Sequence, residues 1–295
     1  MSSRLKILVT GANGQLGKEL RDLADDYSQF EFIFLSREDL PIHHFDLVRN
    51  YFKTLKPDFC INAAAYTAVD RAESEIQKAM QVNGEAVGVL AAVCKVYQTK
   101  FIHISTDYVF NGKADYPYTE NFPTDPVNAY GDTKLEGEKQ AMLLNADSII
   151  IRTSWVYSHH GKNFVKTILK LLQEKTEISV VNDQLGSPTY AADLAEIILQ
   201  IINNSKSSTG KWVPGIYHFS NDGIISWFDF ALAIKEISGS KCVAKPVPTA
   251  AYPTPAKRPS YSVLDKTKIQ KTFGIQLSGW KESLIRCLQK LGAAS

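Results

Sequence analysis

Short apolar runs alternate with longer amphipathic stretches through the first half of the chain. Five runs rich in branched and aromatic residues predict β-strands, at residues 5–10, 31–36, 59–63, 101–106 and 149–153. The stretches between them predict helices, at residues 15–26, 47–55, 73–97 and 128–145. Strands that alternate with helices indicate parallel βαβ units, because each parallel strand needs a crossover connection.

The character of the apolar runs indicates how the predicted sheet is covered. Ile149, Ile150 and Ile151 are consecutive, with no polar residue between them. A strand that is apolar on both sides is typical of a parallel sheet with helices on both faces. The predicted fold class is therefore α/β, a Rossmann-type doubly wound parallel sheet with a smaller C-terminal α/β substrate lobe.

The regular alternation weakens after about residue 155. Four helices are still predicted in this part, at residues 162–174, 190–204, 226–238 and 279–291. We expect an NAD(P)-binding Rossmann domain at residues 1–154 and a mainly substrate-binding lobe at residues 155–295. Some segments of the second part are expected to return to the Rossmann domain.

Composition and charge restrict the class of protein. The chain has 295 residues, 44% of them hydrophobic and 22% charged, as in an ordinary soluble enzyme. Its 33 basic and 31 acidic residues give a net charge of +2, which argues against nucleic acid or an acidic membrane as the main partner.

Two further features of the sequence bear on location. No apolar segment reaches the ~20 residues that span a bilayer, and residues 1–6 lead straight into a strand, without a secretory signal. The four cysteines are far apart and form no C-x-x-C motif: Cys60, Cys94, Cys242 and Cys287. We expect reduced core thiols, no metal binding by them, and a cytoplasmic protein.

The first predicted strand runs into a glycine-rich turn. Gly11 allows the tight turn, Gly14 lets the backbone approach a pyrophosphate, and Gly17 lets the helix pack on the sheet. The helix N-terminus then offers free N–H groups and a partial positive charge to phosphates. A purely structural turn is the alternative, but the position between a strand and an amphipathic helix favours a dinucleotide. The residues of this turn predicted to bind the cofactor are Gly11, Asn13, Gly14, Gln15, Leu16 and Gly17.

The residue after the second predicted strand bears on which nicotinamide cofactor is used. An acidic residue at that place would bind the adenosine ribose, whereas Arg37 can pair with a 2′-phosphate. This favours NADPH over NADH, with a merely solvated arginine as the alternative.

Two other short segments are candidates for cofactor contact. Asp46 and Leu47 could reach the adenine, although Asp46 could instead cap a helix. The third strand is followed by small side chains, which let the cofactor lie against the strand ends: Ala63, Ala64 and Ala65.

A hydroxyl, a tyrosine and a lysine follow in the order that a proton-delivery site needs. Tyr130 and Lys134 are four residues apart and share a helical face, and Asn128 is a plausible N-cap just before them. Free tyrosine ionises near pH ~10, and a neighbouring ammonium is expected to lower the pKa of Tyr130.

These residues could reduce a carbonyl group. Tyr130 could deliver a proton to the carbonyl oxygen as hydride reaches the carbon, and Thr106 could hydrogen-bond the same oxygen. A Tyr-x-x-x-Lys spacing is common on protein surfaces. Its position after the glycine turn and a hydroxyl-terminated strand favours a nicotinamide-dependent reductase.

Other residues are weaker candidates. His103 lies within an apolar strand and is interpreted as a core histidine, whereas His159 and His160 lack a third ligand in the sequence, which argues against a metal. Trp155 could stack on a substrate ring or pack within the lobe. Arg258 could pair with a substrate phosphate or be solvated.

Several motifs together resemble a known family. Four segments carry the resemblance: Thr10–Gly17, Asn62–Glu73, Ser105–Phe110 and Tyr130–Lys134. They are similar to the extended short-chain dehydrogenases and, more narrowly, to the dTDP-4-dehydrorhamnose reductases. Matches at Arg152–Tyr157, at Asn182–Thr189 and in the loop around Arg258 extend the resemblance over nearly the whole chain.

The resemblance implies reduction of the C4 ketone of dTDP-4-dehydro-L-rhamnose to dTDP-L-rhamnose, with NADPH or NADH. It implies three catalytic residues, which are Thr106, Tyr130 and Lys134. It also implies contacts to the dTDP-linked 4-ketosugar by Thr67, Val69, Thr106, Asp107, Trp155 and Arg258. Some members form dimers bridged by magnesium through glutamates. That full set is not matched here, so no metal site is predicted and a homodimer stays open.

Two alternative functions remain at this stage. A sister reductase that makes another deoxysugar would carry the same motifs. The family also includes a regulatory subunit of methionine adenosyltransferase, which keeps the fold and acts as a binding partner. The intact Thr106, Tyr130 and Lys134 weigh against the regulatory role.

Overall fold

The computed structural model describes residues 4–206 and 211–294. Its strands are β1 (Leu5–Thr10), β2 (Phe30–Leu35), β3 (Phe59–Asn62), β4 (Lys100–Thr106), β5 (Ile149–Thr153), β6 (Val156–Tyr157), β7 (Glu177–Val181), β8 (Leu185–Gly186), β9 (Thr189–Tyr190), β10 (Gly215–Phe219), β11 (Ile225–Ser226) and β12 (Val243–Val247). Its α-helices are α1 (Gln15–Asp22), α2 (Phe45–Leu55), α3 (Val69–Ala72), α4 (Ile76–Met80), α5 (Ala86–Val96), α6 (Ala129–Leu144), α7 (Phe164–Glu174), α8 (Ala191–Asn204), α9 (Trp227–Ile237), α10 (Thr267–Phe273) and α11 (Trp280–Lys290).

A six-stranded sheet forms the centre of the molecule. Its strands lie in the order β10-β5-β4-β3-β1-β2, and each neighbouring pair is parallel. The chain moves outward in one direction from β1 to β2 and in the other from β3 onward. This reversal between β1 and β3 is the topological switch point at which doubly wound sheets bind ligands. The predicted Rossmann-type α/β fold is confirmed.

Alternate residues of β1 pack into two separate hydrophobic cores, one on each face of the sheet. Ile7 and Val9 of β1 pack on one face of the sheet with Leu20 of α1 and Ile198 of α8. Leu8, between them, packs on the other face in the cluster that holds Leu90 of α5. Both sides of β1 are thus buried, which explains its consecutive apolar residues from Ile7 to Val9.

The sixth strand of the sheet comes from late in the chain. In β10, Gly215 pairs with Ile149 and Phe219 pairs with Thr153. The sequence pattern did not predict β10, because its run of Gly-Ile-Tyr-His-Phe lacks the uniform apolar character of the other strands. The division into two domains at residue 154 stays a prediction.

The predicted helix at residues 73–97 is divided in the structure. A π-helical turn at Gln81–Glu85 separates α4 from α5. Asn83 in this turn accepts a hydrogen bond from the amide of Tyr66 at 2.8 Å and donates one to Thr133 of α6 at 3.2 Å. A Cβ at Gly137 of α6 would overlap the carbonyl oxygen of Asn83. The wider turn brings α6 close to the segment after β3.

The remaining elements build a smaller unit around a third core. Strands β7 and β12 pair in parallel, and α7, α9 and α11 contribute buried side chains such as Ile168, Phe230 and Leu284. The sequence pattern did not predict β7 or β12. β7 alternates exposed and buried residues over only five positions, and no residue of β12 is buried. All four cysteines are buried free thiols, as predicted. Within the described ranges, every helix is too short or too polar to cross a bilayer.

Candidate active site

The glycine turn closes tightly between β1 and α1. Gly11 has a φ of +70°, and a Cβ on it would lie 2.6 Å from the amide nitrogen of Ala64. A Cβ on Gly17 would lie 2.5 Å from the carbonyl oxygen of Gly11. Gly14 precedes the first residue of α1, so the first N–H groups of that helix face outward without a capping side chain. Such a cradle suits an anionic pyrophosphate.

The outer cofactor candidates lie at the same edge of the sheet and are exposed. Arg37 is the second residue after β2. Asp46 lies in the first turn of α2 and forms an exposed ion pair with Arg49 at 3.1 Å, while Leu47 is 49% exposed. The N-cap of α2 is His44, so Asp46 does not cap this helix.

A buried chain of hydrogen bonds runs from β1 across the sheet to β4. Asn62 accepts hydrogen bonds from the Thr10 hydroxyl at 2.6 Å and from the amide of Ala64 at 3.2 Å, both through Oδ1. These donors fix the amide orientation, so Asn62 Nδ2 donates to His103 Nδ1 at 3.0 Å. A neutral His103 ring must then carry its proton on Nε2.

Lys134 of α6 lies at the end of this chain. Its side chain is 1% exposed, donates to the carbonyl of Ile104 at 2.6 Å and lies 3.3 Å from His103 Nε2. Burial lowers the pKa of Lys134 to about 8, against an opposing effect of Glu138. Burial and the Lys134 charge hold the pKa of His103 well below its ordinary value, so this histidine is neutral. The interpretation of His103 as a core histidine is confirmed, but it also touches a candidate catalytic residue.

Tyr130 lies in the first turn of α6, as predicted. The side chain of Asn128 caps the helix by accepting a hydrogen bond from the amide of Gly131 at 2.8 Å. Burial raises the pKa of Tyr130 to about 12; a hydrogen bond with Thr106 lowers it and the charge of Asp107 raises it. The expected lowering of this pKa is wrong, because burial dominates. Tyr130 therefore keeps its proton at neutral pH, as a proton donor requires.

Thr106 and Asp107 lie together at the end of β4, facing Tyr130. The Thr106 hydroxyl donates to the carboxylate of Asp107 at 3.0 Å and accepts from the amide of Tyr108 at 3.2 Å. Burial raises the pKa of Asp107 to about 6, while bonds to Ser262 and Thr106 oppose the shift. The structure thus places the predicted hydroxyl beside the predicted tyrosine.

Close packing holds α6 against these strands. A Cβ on Gly131 would overlap the carbonyl oxygen of Tyr108. Further along α6, Glu138 forms a buried ion pair with Arg152 of β5 at 2.7 Å. The positions of Tyr130 and Lys134 are therefore set by a helix that is fixed at two points.

Two predicted substrate-binding residues, Trp155 and Arg258, already contact other side chains of the protein. Trp155 has a φ of +49° and stacks on Trp227, with ring centroids 3.6 Å apart. Arg258 donates from Nη2 to Asp70 of α3 at 2.9 Å and from Nη1 to the carbonyl of Ala256 at 3.1 Å. The Asp70 pair ties the proline-rich loop to α3, which follows the segment after β3.

The remaining substrate candidates lie on that same segment. Thr67 is exposed and Val69 is the first residue of α3. Sequence reasoning gave no role to Asn62 or to its contact with His103. The only signal for it was a polar residue at the buried end of a strand, in register with a histidine of the next strand.

Comparisons with known proteins agree with this geometry. Residues 5–293 match the model of the family described as RmlD substrate binding domain. The dTDP-4-dehydrorhamnose reductase of Aggregatibacter actinomycetemcomitans is 43% identical over 286 residues, which cover 95% of this chain and 97% of that protein. The chain belongs to the dTDP-4-dehydrorhamnose reductase family. The predicted membership of an oxidoreductase family is confirmed.

Two other known proteins are similar to this chain over nearly its whole length. The spore coat polysaccharide biosynthesis protein SpsK of Bacillus subtilis is 44% identical over 290 residues, covering 98% of this chain and 99% of that protein. The crystal structure of dTDP-4-dehydrorhamnose reductase from Bacillus anthracis, in complex with NADP, is 36% identical with a TM-score of 0.92. That alignment covers 98% of this chain and all of the solved chain.

Proposed function

We propose that this protein reduces the C4 ketone of dTDP-4-dehydro-L-rhamnose to give dTDP-L-rhamnose. The observation that carries the proposal is the meeting of Thr106 and a protonated Tyr130 at the carboxyl edge of the sheet, beside the glycine turn. Ligands of doubly wound sheets bind at this edge. Family membership supports the substrate class.

NADPH is the proposed cofactor, with NADH as a possible substitute. The cradle formed by Gly11, Gly14 and the start of α1 fits a pyrophosphate, since a Cβ at Gly11 would fill the space. Arg37 is exposed next to β2 and supplies a guanidinium for a 2′-phosphate. The NADP complex of the Bacillus anthracis relative supports the same choice. When bound, NADPH supplies the hydride that reduces the carbonyl carbon.

Tyr130 is the proposed proton donor. As hydride adds to the ketone carbon, the electron pair of the C=O bond takes the phenolic proton, so a hydroxyl forms and Tyr130 is left as the phenolate. The pKa of about 12 keeps Tyr130 protonated before the step. With the ketone bound, the Thr106 hydroxyl turns its single proton from Asp107 to the same substrate oxygen and stabilises the developing charge.

Lys134 and the residues behind it complete the proposed site. Lys134 lies on the same face of α6 as Tyr130, where its amine orients the nicotinamide ribose and its positive charge favours the phenolate. Its amine is held by the carbonyl of Ile104 and packs 3.3 Å from the ring of the neutral His103, which Asn62 orients. His103 and Asn62 are positioning residues in this proposal.

The ketosugar is proposed to enter from the side of the C-terminal lobe. Arg258 keeps three N–H donors beyond those bonded to Asp70 and Ala256, and these suit a diphosphate. Trp155 has one face against Trp227 and packs within the lobe, so it contributes shape more than a free stacking surface.

A sister reductase acting on another nucleotide-linked 4-ketosugar is the second candidate. The 44% identity to a spore coat polysaccharide protein favours it, because that name specifies a polysaccharide and no rhamnose. The role of a regulatory subunit has no comparable support, because all three proposed catalytic residues, Thr106, Tyr130 and Lys134, are present and lie together.

A substrate panel tests the proposal. The purified protein is mixed with NADPH and dTDP-4-dehydro-L-rhamnose, with dTDP-4-dehydro-6-deoxy-D-glucose in a parallel reaction, and NADPH consumption is followed. We expect consumption with the first sugar and formation of dTDP-L-rhamnose in equal amount. Faster turnover of the second sugar would establish the sister reductase. If neither sugar supports NADPH consumption, both candidate functions are rejected.

A further inference from the structure

The segment that carries Arg258 forms neither a helix nor a strand. We call residues 254–259 the Arg258 loop. Because no ladder of backbone hydrogen bonds holds such a segment, its position depends on contacts with other parts of the protein. The contacts of this loop therefore decide where the Arg258 guanidinium lies.

Two of these contacts hold the loop against α3 and against the segment after β4. The carboxylate of Asp70 in α3 accepts hydrogen bonds from Arg258 Nη2 at 2.9 Å and from the amide of Ala256 at 3.2 Å. Gly112 packs so closely on Pro259 that a Cβ on Gly112 would overlap the proline. These contacts fix the guanidinium and both sides of the loop, but they do not involve the helix that carries Tyr130.

Asn128 connects the loop to that helix. Its Nδ2 donates to the carbonyl oxygen of Lys257 at 2.9 Å, and its Oδ1 accepts from the amide of Gly131 at 2.8 Å. A backbone amide can only donate and a carbonyl oxygen can only accept, so these two partners fix the orientation of the side-chain amide. One buried side chain therefore caps α6 and holds the Arg258 loop at the same time.

The bond to Lys257 acts directly on the backbone of Arg258. The carbonyl group of Lys257 and the nitrogen and Cα of Arg258 belong to one planar peptide unit. A fixed carbonyl oxygen therefore fixes the plane from which the Arg258 side chain starts. Asn128 holds the backbone end of Arg258, while Asp70 holds its guanidinium.

The identity of the cap residue agrees with this second role. A helix N-cap needs only an acceptor, which Asp, Ser and Thr supply as well as Asn. Asn differs because it presents an acceptor and a donor on two atoms that can face different partners. Asn163 uses both atoms in the same way, since it caps α7 and donates to the carbonyl of Ser158. Ser226, the cap of α9, bonds to Asp229 in the first turn of its own helix.

The end of α6 that Asn128 caps also places Tyr130. Tyr130 is the second residue of the helix, and the amide of Ala129 before it is bonded to Glu73 at 2.9 Å. Gly131 after it packs against the carbonyl oxygen of Tyr108. The first turn of α6 is thus held firmly. A contact between Asn128 and the loop therefore also sets the separation of Arg258 from Tyr130.

We propose that Asn128 is a positioning residue, which sets the separation between the substrate diphosphate bound by Arg258 and the proton donor Tyr130. A nucleotide-linked 4-ketosugar carries its diphosphate on C1 and its carbonyl at C4, so the width of the sugar ring separates the two groups. A site that binds both groups productively needs a fixed spacing between their partners. This inference rests on the proposed reductase function and adds a specificity-determining residue to it.

Substitution by Asp separates the two bonds of Asn128. Asn128→Asp keeps the acceptor that caps α6 and loses the donor to Lys257. We expect KM for dTDP-4-dehydro-L-rhamnose to rise by roughly 3–10-fold, as for the loss of one hydrogen bond. The value of kcat and KM for NADPH should change little, because the cap still holds Tyr130. Asn128→Ser, an uncharged cap, should behave in the same way, and unchanged KM in both variants overturns the proposal.

A double-mutant cycle shows whether Asn128 acts through Arg258. In the Arg258→Ala protein, Asn128→Ser should have little further effect on KM, because the residue that it positions is absent. Calorimetric titration with dTDP, in the presence of NADP⁺, gives the same comparison without turnover. Additive losses of dTDP affinity would show that Asn128 supports the fold in general and would contradict the proposal.

The dTDP titration also separates this inference from the proposed function. A wild-type protein that binds dTDP but reduces neither sugar rejects the proposed function, while the cycle in dTDP affinity still decides whether Asn128 positions Arg258. A wild-type protein that does not bind dTDP overturns both.

Proteolysis and a matched control distinguish positioning from general damage. Trypsin cleaves after lysine, and Lys257 is exposed, so release of the loop in Asn128→Ser should speed cleavage between Lys257 and Arg258. Mass spectrometry identifies the fragment that begins at Arg258. The control is Asn145→Ser, the same substitution at the other end of α6, which should keep wild-type KM and cleavage rate. Unchanged cleavage in Asn128→Ser, or an equal rise of KM in the control, rules out the assignment.

Discussion

Tyr130 is protonated over the whole neutral range, which is compatible with the proton-donor role proposed for it. Burial raises its pKa to about 12, so the folded site holds a phenol ready to give a proton. In the direction of ketone reduction this is the required form. Oxidation of the alcohol would need the phenolate, which the charge of a bound nicotinamide cation and of Lys134 would favour.

Tyr130→Phe should lower kcat by ~10²–10⁴-fold, because general acid catalysis contributes about that factor. NADPH affinity should change little, and a fluorescence titration measures it separately from the rate. The control is Tyr108→Phe, which removes the hydroxyl of a neighbouring tyrosine. The rings of Tyr108 and Tyr130 meet edge to face, with their centroids 5.6 Å apart. A Tyr130→Phe enzyme with normal kcat would remove Tyr130 from the proton-donor role.

Lys134 should make stability depend on pH in the alkaline range. Its pKa falls from 10.5 to about 8 on folding, so between those values the unfolded chain binds more protons. The free energy of unfolding contributed by this group therefore rises as pH increases from about 8 to 10.5, by roughly 3 kcal/mol.

Urea unfolding of the wild type and of Lys134→Met, at several pH values, measures this contribution. Other titrating groups cancel in the difference between the two proteins. The stability advantage of Lys134→Met should be largest near neutral pH and should shrink as pH rises. A difference that stays constant up to pH ~10.5 would show that Lys134 keeps its ordinary pKa.

The strands of the first half follow closely from local pattern, whereas contacts between elements do not. The bounds of β1 to β5 are predicted to within about one residue because these runs are mostly apolar, and Asn128 indicates the start of α6 as its N-cap. The link from Asn62 to His103 depends on the register of β3 against β4, which sequence spacing does not contain. For the same reason the sequence did not predict the contacts of Glu19 and Asp22 with His159. β10 was missed for a different reason, because its run is not uniformly apolar.

The bond between Asn62 and His103 should be measurable as a coupling between β3 and β4. His103→Phe leaves Asn62 Nδ2 buried without its acceptor, which should cost about 1–3 kcal/mol in the free energy of unfolding. Asn62→Leu should also destabilise, because it leaves His103 Nδ1 and the Thr10 hydroxyl unpaired.

A double-mutant cycle tests this coupling. The protein that carries both substitutions should lose less stability than the sum of the two single losses, since the shared bond is removed only once. Urea unfolding of the four proteins provides the comparison. Additive losses would mean that the two side chains do not interact.

At the scale of the whole molecule, late segments of the chain complete the early sheet and meet it at its carboxyl edge. β10 extends the sheet beyond β5, α8 packs beside α1, and Arg258 pairs with Asp70. The candidate site therefore lies where both parts of the chain converge. In the proposed reaction we therefore expect a nucleotide-linked ketosugar to contact more of these residues than a free sugar does.

Arg258→Ala should raise KM for the nucleotide sugar by roughly 10–100-fold, the loss expected for a charge-assisted hydrogen bond of ~1.5–3 kcal/mol. KM for NADPH should change little, because the glycine cradle lies on α1. Lys257→Ala is the matched control, as it removes the adjacent exposed cation. An equal effect of both variants would point to general electrostatic attraction.

The reductase account is tested most directly by comparing kcat/KM for dTDP-4-dehydro-L-rhamnose with that for the free 4-ketosugar, with NADPH saturating. Binding energy from the remote nucleotide positions the reacting carbon, so the account predicts a much higher kcat/KM for the nucleotide-linked sugar. Equal values for the two substrates would contradict it and leave a general carbonyl reductase.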